Sequence, residues 1–88
     1  MQADTYAAIS DFVVSNFLFG DRSRLPAGGT SLIESGVIDS TGVLELIEFL
    51  EDEFAISVAE SETVPDNLGS LDNLVRFVTA KRTSDVAV

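Results

Sequence analysis

The chain of 88 residues is 45% hydrophobic, which is enough for one small core and a single domain. Fifteen acidic and five basic side chains give a formal charge of −10, so nucleic acid and anionic membranes would repel the protein. Because Cys and His are both absent, the chain has no disulfide, no thiolate metal site and no Ser–His–Asp triad. We expect no metal site, no membrane span and no signal peptide, and therefore a cytoplasmic protein.

The acidic residues are unevenly distributed along the chain. Eleven of the fifteen lie between Arg24 and Arg76, a stretch without any Lys or Arg. Such a run is often only a solvated surface that keeps a small domain soluble. It can also create a field that steers basic partners to one side of the molecule. Composition alone favours the first interpretation, whereas the arrangement of the acids on the second helix favours the other.

The first helix is predicted from about Asp4 to Leu18, where apolar residues recur at helical spacing. Its apolar stripe comprises Tyr6, Ile9, Phe12, Val13 and Phe17. Asp4 or Thr5 is the predicted N-cap, and Gly20 is the predicted end of the helix.

A long connection is predicted from Gly20 to Ile38, since turn-forming and polar residues dominate it without a sustained period. Connections of this length in a small domain are usually functional or mobile. Ser31 and Glu34 have the spacing of a capping box and predict a single helical turn. We expect four apolar residues to hold the second half of the connection on the core: Leu32, Ile33, Val37 and Ile38.

The second helix is predicted to begin at Asp39 and Ser40 and to end near Phe54, because Asp and Ser favour helix starts and a clear amphipathic pattern follows. One face carries the apolar residues Val43, Leu46, Ile47, Phe49, Leu50 and Phe54. The opposite face carries Thr41, Glu45, Glu48 and Asp52, with Leu44 and Glu51 at its border. The helix therefore has a core stripe and an acidic outward stripe beside an apolar leucine.

Two more helices are predicted after an extended connector at residues 55–58. A short one lies near Val64–Leu68, with Pro65 in its first turn. A longer one follows Ser70, its predicted cap, and residues 83–88 are predicted to be a flexible tail. The predicted core comprises Ile9, Phe12, Phe17, Leu32, Leu46, Ile47, Leu50, Phe54, Ile56, Leu71, Leu74 and Val78, with Phe77 flanking it. We therefore expect an all-α, four-helix bundle of three longer helices and one short, in a single domain spanning 1–88 with its core at about 4–82.

Ser40 admits two interpretations. A serine at a helix start is most often an N-cap, and an isolated Asp-Ser pair indicates nothing more. Alternatively, Asp39 caps the helix and the Ser40 hydroxyl faces outward. No enzymatic activity is expected, because there is no catalytic triad and a small bundle with external acids has little room for a catalytic pocket.

A resemblance to a known family favours the second interpretation. Three segments carry it: Gly36-Val37-Ile38-Asp39-Ser40, Leu44-Glu45-Leu46-Ile47 and Leu50-Glu51-Asp52-Glu53-Phe54. Together they resemble the acyl carrier protein family, whose signature is Asp-Ser at the start of the second helix. The resemblance runs from about Ile9 to Lys81. Thr41 and Gly42 depart from the family pattern, and both are predicted to lie on the partner-facing start of the helix.

By this resemblance, Ser40 carries a 4'-phosphopantetheine arm, which a phosphopantetheinyl transferase with a divalent metal takes from coenzyme A, and Asp39 caps the helix beside it. The arm supplies the thiol that the chain lacks, holds acyl intermediates as thioesters and presents them to enzymes of fatty-acid or related biosynthesis. The implied partners are the transferase, an acyl- or aminoacyl-loading ligase and later enzymes with basic docking surfaces. The implied partner-binding residues are Thr41, Leu44, Glu45, Glu48, Glu51 and Asp52.

Two alternatives remain open at this point. Thr41, Gly42 and the segment Val64–Leu68 look less like a housekeeping fatty-acid carrier than like a dedicated aminoacyl, polyketide or non-ribosomal-peptide carrier. The other alternative is an acidic helical interaction module without a prosthetic group, in which Ser40 is only a cap. In each case we expect a stand-alone monomer.

Overall fold

The computed structural model describes residues 2–86, with side chains for residues 5–82. Within that range the chain forms four α-helices and no strand, which confirms the predicted all-α class with three longer helices and one short. The helices are α1 (Gln2–Phe17), α2 (Ser40–Phe54), α3 (Pro65–Leu68) and α4 (Leu71–Val86), and 3₁₀ turns occur at Arg22–Arg24 and Glu60–Glu62.

The core is organised around α4, which packs against α1, α3 and α2. It is a single cluster of buried apolar side chains contributed by all four helices and by both long connections. Eight of the predicted core residues are buried: Ile9, Leu32, Leu46, Leu50, Ile56, Leu71, Leu74 and Val78. Phe77, predicted only to flank the core, is also buried at 7% exposure.

Aromatic side chains lie at the edge of this core, between α1 and α2. The rings of Phe12 and Phe49 stack with centroids 4.2 Å apart, and Phe54 meets Phe49 edge-on at 5.9 Å. Phe12, Phe17, Ile47 and Phe54, predicted as core, are therefore half-buried and cover its border. Tyr6 is a clearer error, because 37% of it is exposed and it does not extend the buried stripe.

The start of α1 differs from the prediction, and its end agrees with it. The helix already includes Gln2, so Asp4 and Thr5 lie inside it and neither occupies its N-cap position. Beyond Phe17 the backbone turns left-handed at Phe19 and again at Gly20, with φ of 55° and 81°. The Gly20 N–H donates to the Val14 carbonyl at 2.9 Å, which satisfies one carbonyl of the last turn. Gly20 therefore ends the helix as predicted.

The connection before α2 contains one tight turn that fixes its position. The Glu34 N–H donates to the Ser31 hydroxyl at 3.1 Å, which forms the predicted turn. The Leu32 carbonyl then accepts from the N–H groups of Val37 and Ile38, each at 3.1 Å. Leu32 and Ile38 are buried, but Ile33 is 48% exposed, so the prediction that Ile33 anchors the core is wrong. The turn directs adjacent side chains to opposite sides, and Leu32 takes the inward one.

The last two helices begin where their capping residues predict. Val64 precedes α3, and Pro65 occupies its first turn. Ser70 precedes α4, and its hydroxyl accepts from the Asn73 N–H at 3.2 Å. Residues 83–86 of the predicted tail belong to α4, which runs to Val86, while residues 87–88 of that tail lie outside the described range.

Candidate functional site

The start of α2 is capped by Asp39. This residue has an extended backbone, with φ of −99° and ψ of −179°, and its Oδ1 accepts from the Gly42 N–H at 2.7 Å. The carboxylate thus satisfies one of the N–H groups that a helix leaves without an internal partner. The predicted cap is confirmed, and it is the aspartate rather than the serine.

Ser40 is consequently the first residue of the helix and not its cap. Its side chain is exposed. Among the described residues, none forms a hydrogen bond with its hydroxyl, so the Oγ is available from solvent. The positive end of the helix dipole lies beside it, which favours an anionic group at this position.

The outward stripe of α2 lies in solvent, as the helical period predicts. Thr41, Glu45, Glu48 and Asp52 are all exposed, and Leu44 is 64% exposed beside them. The described ion pairs join Arg22 to Asp11 and Lys81 to Glu62, so none of the stripe's carboxylates is neutralised by a cation of the described residues. The stripe is an uncompensated acidic surface with an apolar side chain at its edge.

Glu51 differs from its predicted companions. It is half-buried, and its Oε2 accepts from the Val58 N–H at 2.9 Å. This bond ties the segment after α2 back to the helix. Glu51 therefore has an internal structural role, and its carboxylate is partly occupied by the protein's own backbone.

Gly42 is buried, so the prediction that it lies on the partner-facing side is wrong. A Cβ at this position would lie 2.8 Å from Phe17 Cε1 and 3.0 Å from Ile38 Cγ2. Only the missing side chain lets the first turn of α2 approach the end of α1 this closely. The close contact beneath the turn leaves Ser40 and Thr41 on its outer side.

An apolar cleft of about 290 Å³ lies next to the first turn of α2. Val43, one turn beyond Ser40, forms part of its wall. The apolar lining also includes Ile33, Val64, Pro65 and Leu68, and the polar lining includes Ser31, Glu34 and Thr63. Sequence reasoning missed this cleft, because it placed Ile33 in the core. The available signal was the pair Leu32-Ile33 in a tight turn, where only one of two neighbours can face inward.

Glu62 holds the segment that contributes Thr63 and Val64 to the wall of this cleft. Its Oε1 accepts from the Ala59 N–H at 2.9 Å and from Lys81 Nζ at 3.0 Å. The bond from the Ala59 N–H, followed by the contact with Lys81, lowers the pKa of Glu62 below its usual value. Glu62 thereby links the segment before α3 to the outer part of α4.

The described residues contain neither a metal-ligating cluster nor a helix that could cross a membrane. No three acidic side chains within residues 5–82 converge as a metal site would require. None of the helices over residues 2–86 is both long enough and apolar enough to span a bilayer.

Comparison with known proteins gives one curated relative of interest. This is the probable acyl carrier protein PigG of Serratia sp. (strain ATCC 39006), which is 29% identical over 66 residues. The aligned region covers 75% of this chain and 75% of the relative. The match supports the resemblance of this chain to the acyl carrier protein family. No protein-family model matches the chain.

The relative agrees with the family resemblance carried by residues 36–54. Its name is consistent with the predicted carrier role.

Proposed function

We propose that this chain is an acyl carrier protein in which Ser40 carries a 4'-phosphopantetheine arm. The observation that supports the proposal is that Asp39 and Ser40 have separate roles at the start of α2. Asp39 caps the helix through its 2.7 Å bond from the Gly42 N–H, and the Ser40 hydroxyl is left exposed without a partner among the described residues. A nucleophilic oxygen that a transferase must reach has to be free in this way.

The residues around Ser40 fit such a group. The exposed hydroxyl leaves room for a phosphodiester, and the helix N-terminus favours its negative charge. Gly42 packs the first turn against Phe17, which fixes the position of Ser40 relative to α1. When bound, the arm would supply a thiol for thioester formation, which a chain without Cys cannot provide.

The outward stripe of α2 serves as the docking surface in this proposal. Leu44, Glu45, Glu48 and Asp52 form an acidic surface with an apolar contact point on the same helix as Ser40. Basic surfaces of a phosphopantetheinyl transferase, a loading ligase and later acyl-processing enzymes would complement it. Glu51 contributes negative charge there, although its Oε2 is already bonded to Val58.

The cargo belongs to fatty-acid or related biosynthesis in this proposal, and a dedicated aminoacyl or polyketide carrier is the alternative. One of the two departures from the family pattern, Gly42, is buried and cannot touch a partner. Thr41 is exposed next to Ser40 and is therefore the departure that bears on partner choice.

The arm is tested by incubating the full chain with coenzyme A and a promiscuous phosphopantetheinyl transferase. We expect wild type to gain the mass of one phosphopantetheinyl group, whereas Ser40→Ala gains none. Ser57→Ala is the matched control, because Ser57 is also exposed but lies outside the helices. A wild-type protein that stays unmodified would favour the acidic interaction module instead, and a Ser40→Ala variant that is still loaded would contradict Ser40 as the attachment site.

The cargo is tested on protein purified from its native host. Intact mass before and after thioester cleavage gives the mass of whatever the arm carries. A fatty or polyketide acyl mass and an aminoacyl mass are distinguishable in the same spectrum.

A further inference from the structure

Phe19 is placed in a way that the fold does not explain. Its side chain is 91% exposed, far more than any other exposed large apolar residue in the described part of the chain. Its backbone is left-handed, with φ of 55°, a conformation that is strained for a bulky residue and natural for glycine or asparagine. Neither packing nor backbone preference therefore accounts for a phenylalanine here.

Phe19 is one of the residues that line a cleft of about 310 Å³ between the end of α1 and the connection to α2. Phe17, Pro26 and Val37 provide apolar lining. Arg24 is the one charged residue among the described residues that line it. An aromatic ring, apolar walls and one cation form a small surface of mixed character.

Arg24 has no partner of its own within the described residues, because none forms an ion pair or hydrogen bond with its guanidinium. Arg22, two positions earlier, pairs with Asp11. Arg24 therefore remains an exposed free cation on a chain with a formal charge of −10. A free guanidinium of this kind can bind a carboxylate through two parallel hydrogen bonds.

The cleft lies at the same end of the molecule as Ser40. Val37, in its lining, precedes Ser40 by three residues. Phe17, also in its lining, is the residue that a Cβ on Gly42 would meet in the first turn of α2. A protein bound over the start of α2 would therefore be close to Phe19 and Arg24.

We propose that the cleft around Phe19 and Arg24 is a second docking surface, which binds a partner segment that presents an apolar side chain beside a carboxylate. The occupant follows from charge complementarity. The one charged residue of the cleft is a cation and every charged residue of the α2 stripe is an acid, so the two surfaces select opposite charges. A partner with a basic region and a nearby acidic-apolar segment would engage both, which fixes its orientation over Ser40. This inference adds to the proposed function but does not depend on an arm at Ser40.

The test is an NMR titration of the labelled full chain with capped peptides that contain a central Leu-Phe pair flanked by Glu or by Lys. We expect the Glu peptide to shift the amides of Phe19, Arg24 and Val37. The Lys peptide should instead shift the acidic stripe of α2. Arg24→Glu and Phe19→Gly should each raise the Kd of the Glu peptide by about tenfold or more.

Two control variants show whether the Glu peptide binds at this cleft and nowhere else. Ile33→Ala removes an exposed apolar side chain from the other cleft and should leave the Kd unchanged. Ser40→Ala should also bind like wild type, so loss of loading at Ser40 and loss of peptide binding are independent results. Phe19→Gly should melt at the wild-type temperature or higher, since it relieves the left-handed strain.

Three results would overturn the proposal. The first is a Glu peptide that produces no shifts at the cleft, or a Lys peptide that produces the same ones. The second is undiminished binding by Arg24→Glu and Phe19→Gly. The third is a lowered melting temperature of Phe19→Gly, because it would mean that the ring packs within the fold.

Discussion

The starts of α2 and α4 use a serine in opposite ways. At α4, Ser70 precedes the helix, is 5% exposed, and accepts from the Asn73 N–H at 3.2 Å. At α2, Asp39 takes the capping position, and Ser40 is moved one residue into the helix and left exposed. The comparison teaches that the residue before a serine decides whether its hydroxyl is consumed by the helix or available for chemistry.

The long connection between α1 and α2 also makes the starts of α2 and α4 differ. It packs over the start of α4, where the Asp72 N–H donates to the Gly28 carbonyl at 3.0 Å and the Leu32 N–H donates to the Gly69 carbonyl at 2.8 Å. At the start of α2, the close contact is on the inner side, through Gly42. The start of α4 is therefore covered by the connection, whereas the start of α2 is packed on its inner side and exposed on its outer side.

Exchanging the two serines for alanine should separate the two roles most strongly. Ser40→Ala should abolish phosphopantetheine loading and leave the free energy of unfolding nearly unchanged, because its hydroxyl bonds to nothing in the described chain. Ser70→Ala should load normally but lose about 0.5–2 kcal/mol of stability with its cap. Urea denaturation and intact-mass spectrometry measure the two effects. Equal stability losses in both variants would refute the contrast.

Gly42→Ala tests the inner support of the α2 start. The new methyl group would press on Phe17 and Ile38, which costs about 1–3 kcal/mol when a packed site is overfilled. Alanine's better helix propensity returns about 1 kcal/mol at most, so we expect a net loss of stability. Gly29→Ala is the matched control, since a Cβ there has nothing within 4 Å. Gly29→Ala should leave the stability unchanged or raise it slightly. If Gly42→Ala had the same small effect on stability, the first turn of α2 would be loosely packed.

Asp39→Ala should reveal how much stability the carboxylate cap provides. Loss of the bond to the Gly42 N–H is expected to cost about 0.5–2 kcal/mol, similar to the loss in Ser70→Ala. Asp39→Asn keeps an oxygen acceptor and should retain most of that stability. Thermal melts of Asp39→Ala, Asp39→Asn and Ser70→Ala compare their losses of stability. If Asp39→Ala melts like wild type, another group caps α2.

Glu48→Lys should have the smallest effect on folding and still change docking. Glu48 is exposed among like charges, so reversing it should alter stability by no more than about 0.5 kcal/mol. Loading by the transferase should slow at low salt, and the gap from wild type should narrow at high salt as screening weakens the attraction. Glu60→Lys makes the same charge change away from α2 and serves as the control. Equal loading rates at every ionic strength would show that the stripe is only a solvated face.

Local interactions explain which features could be predicted. The caps Asp39 and Ser70 bond to N–H groups three residues ahead, and the Ser31 turn does the same, so short spacing was sufficient. The alternation of apolar and acidic residues on α2 likewise predicted which face is buried and which is exposed. Errors arose where a side chain's direction depends on a distant partner, as for Tyr6 and Ile33.

The sequence by itself determined the all-helical class, the caps Asp39 and Ser70, and an aspartate followed by a serine at the start of an acidic helix. These features depend on contacts between residues three or four apart. Only the tertiary structure decided that Gly42 is buried against Phe17, that Ile33 faces a cleft, and that Phe19 and Arg24 share a surface near Ser40. Those placements depend on how the long connection folds back over α4 and on how closely α1 approaches α2, and no local pattern in the chain specifies either.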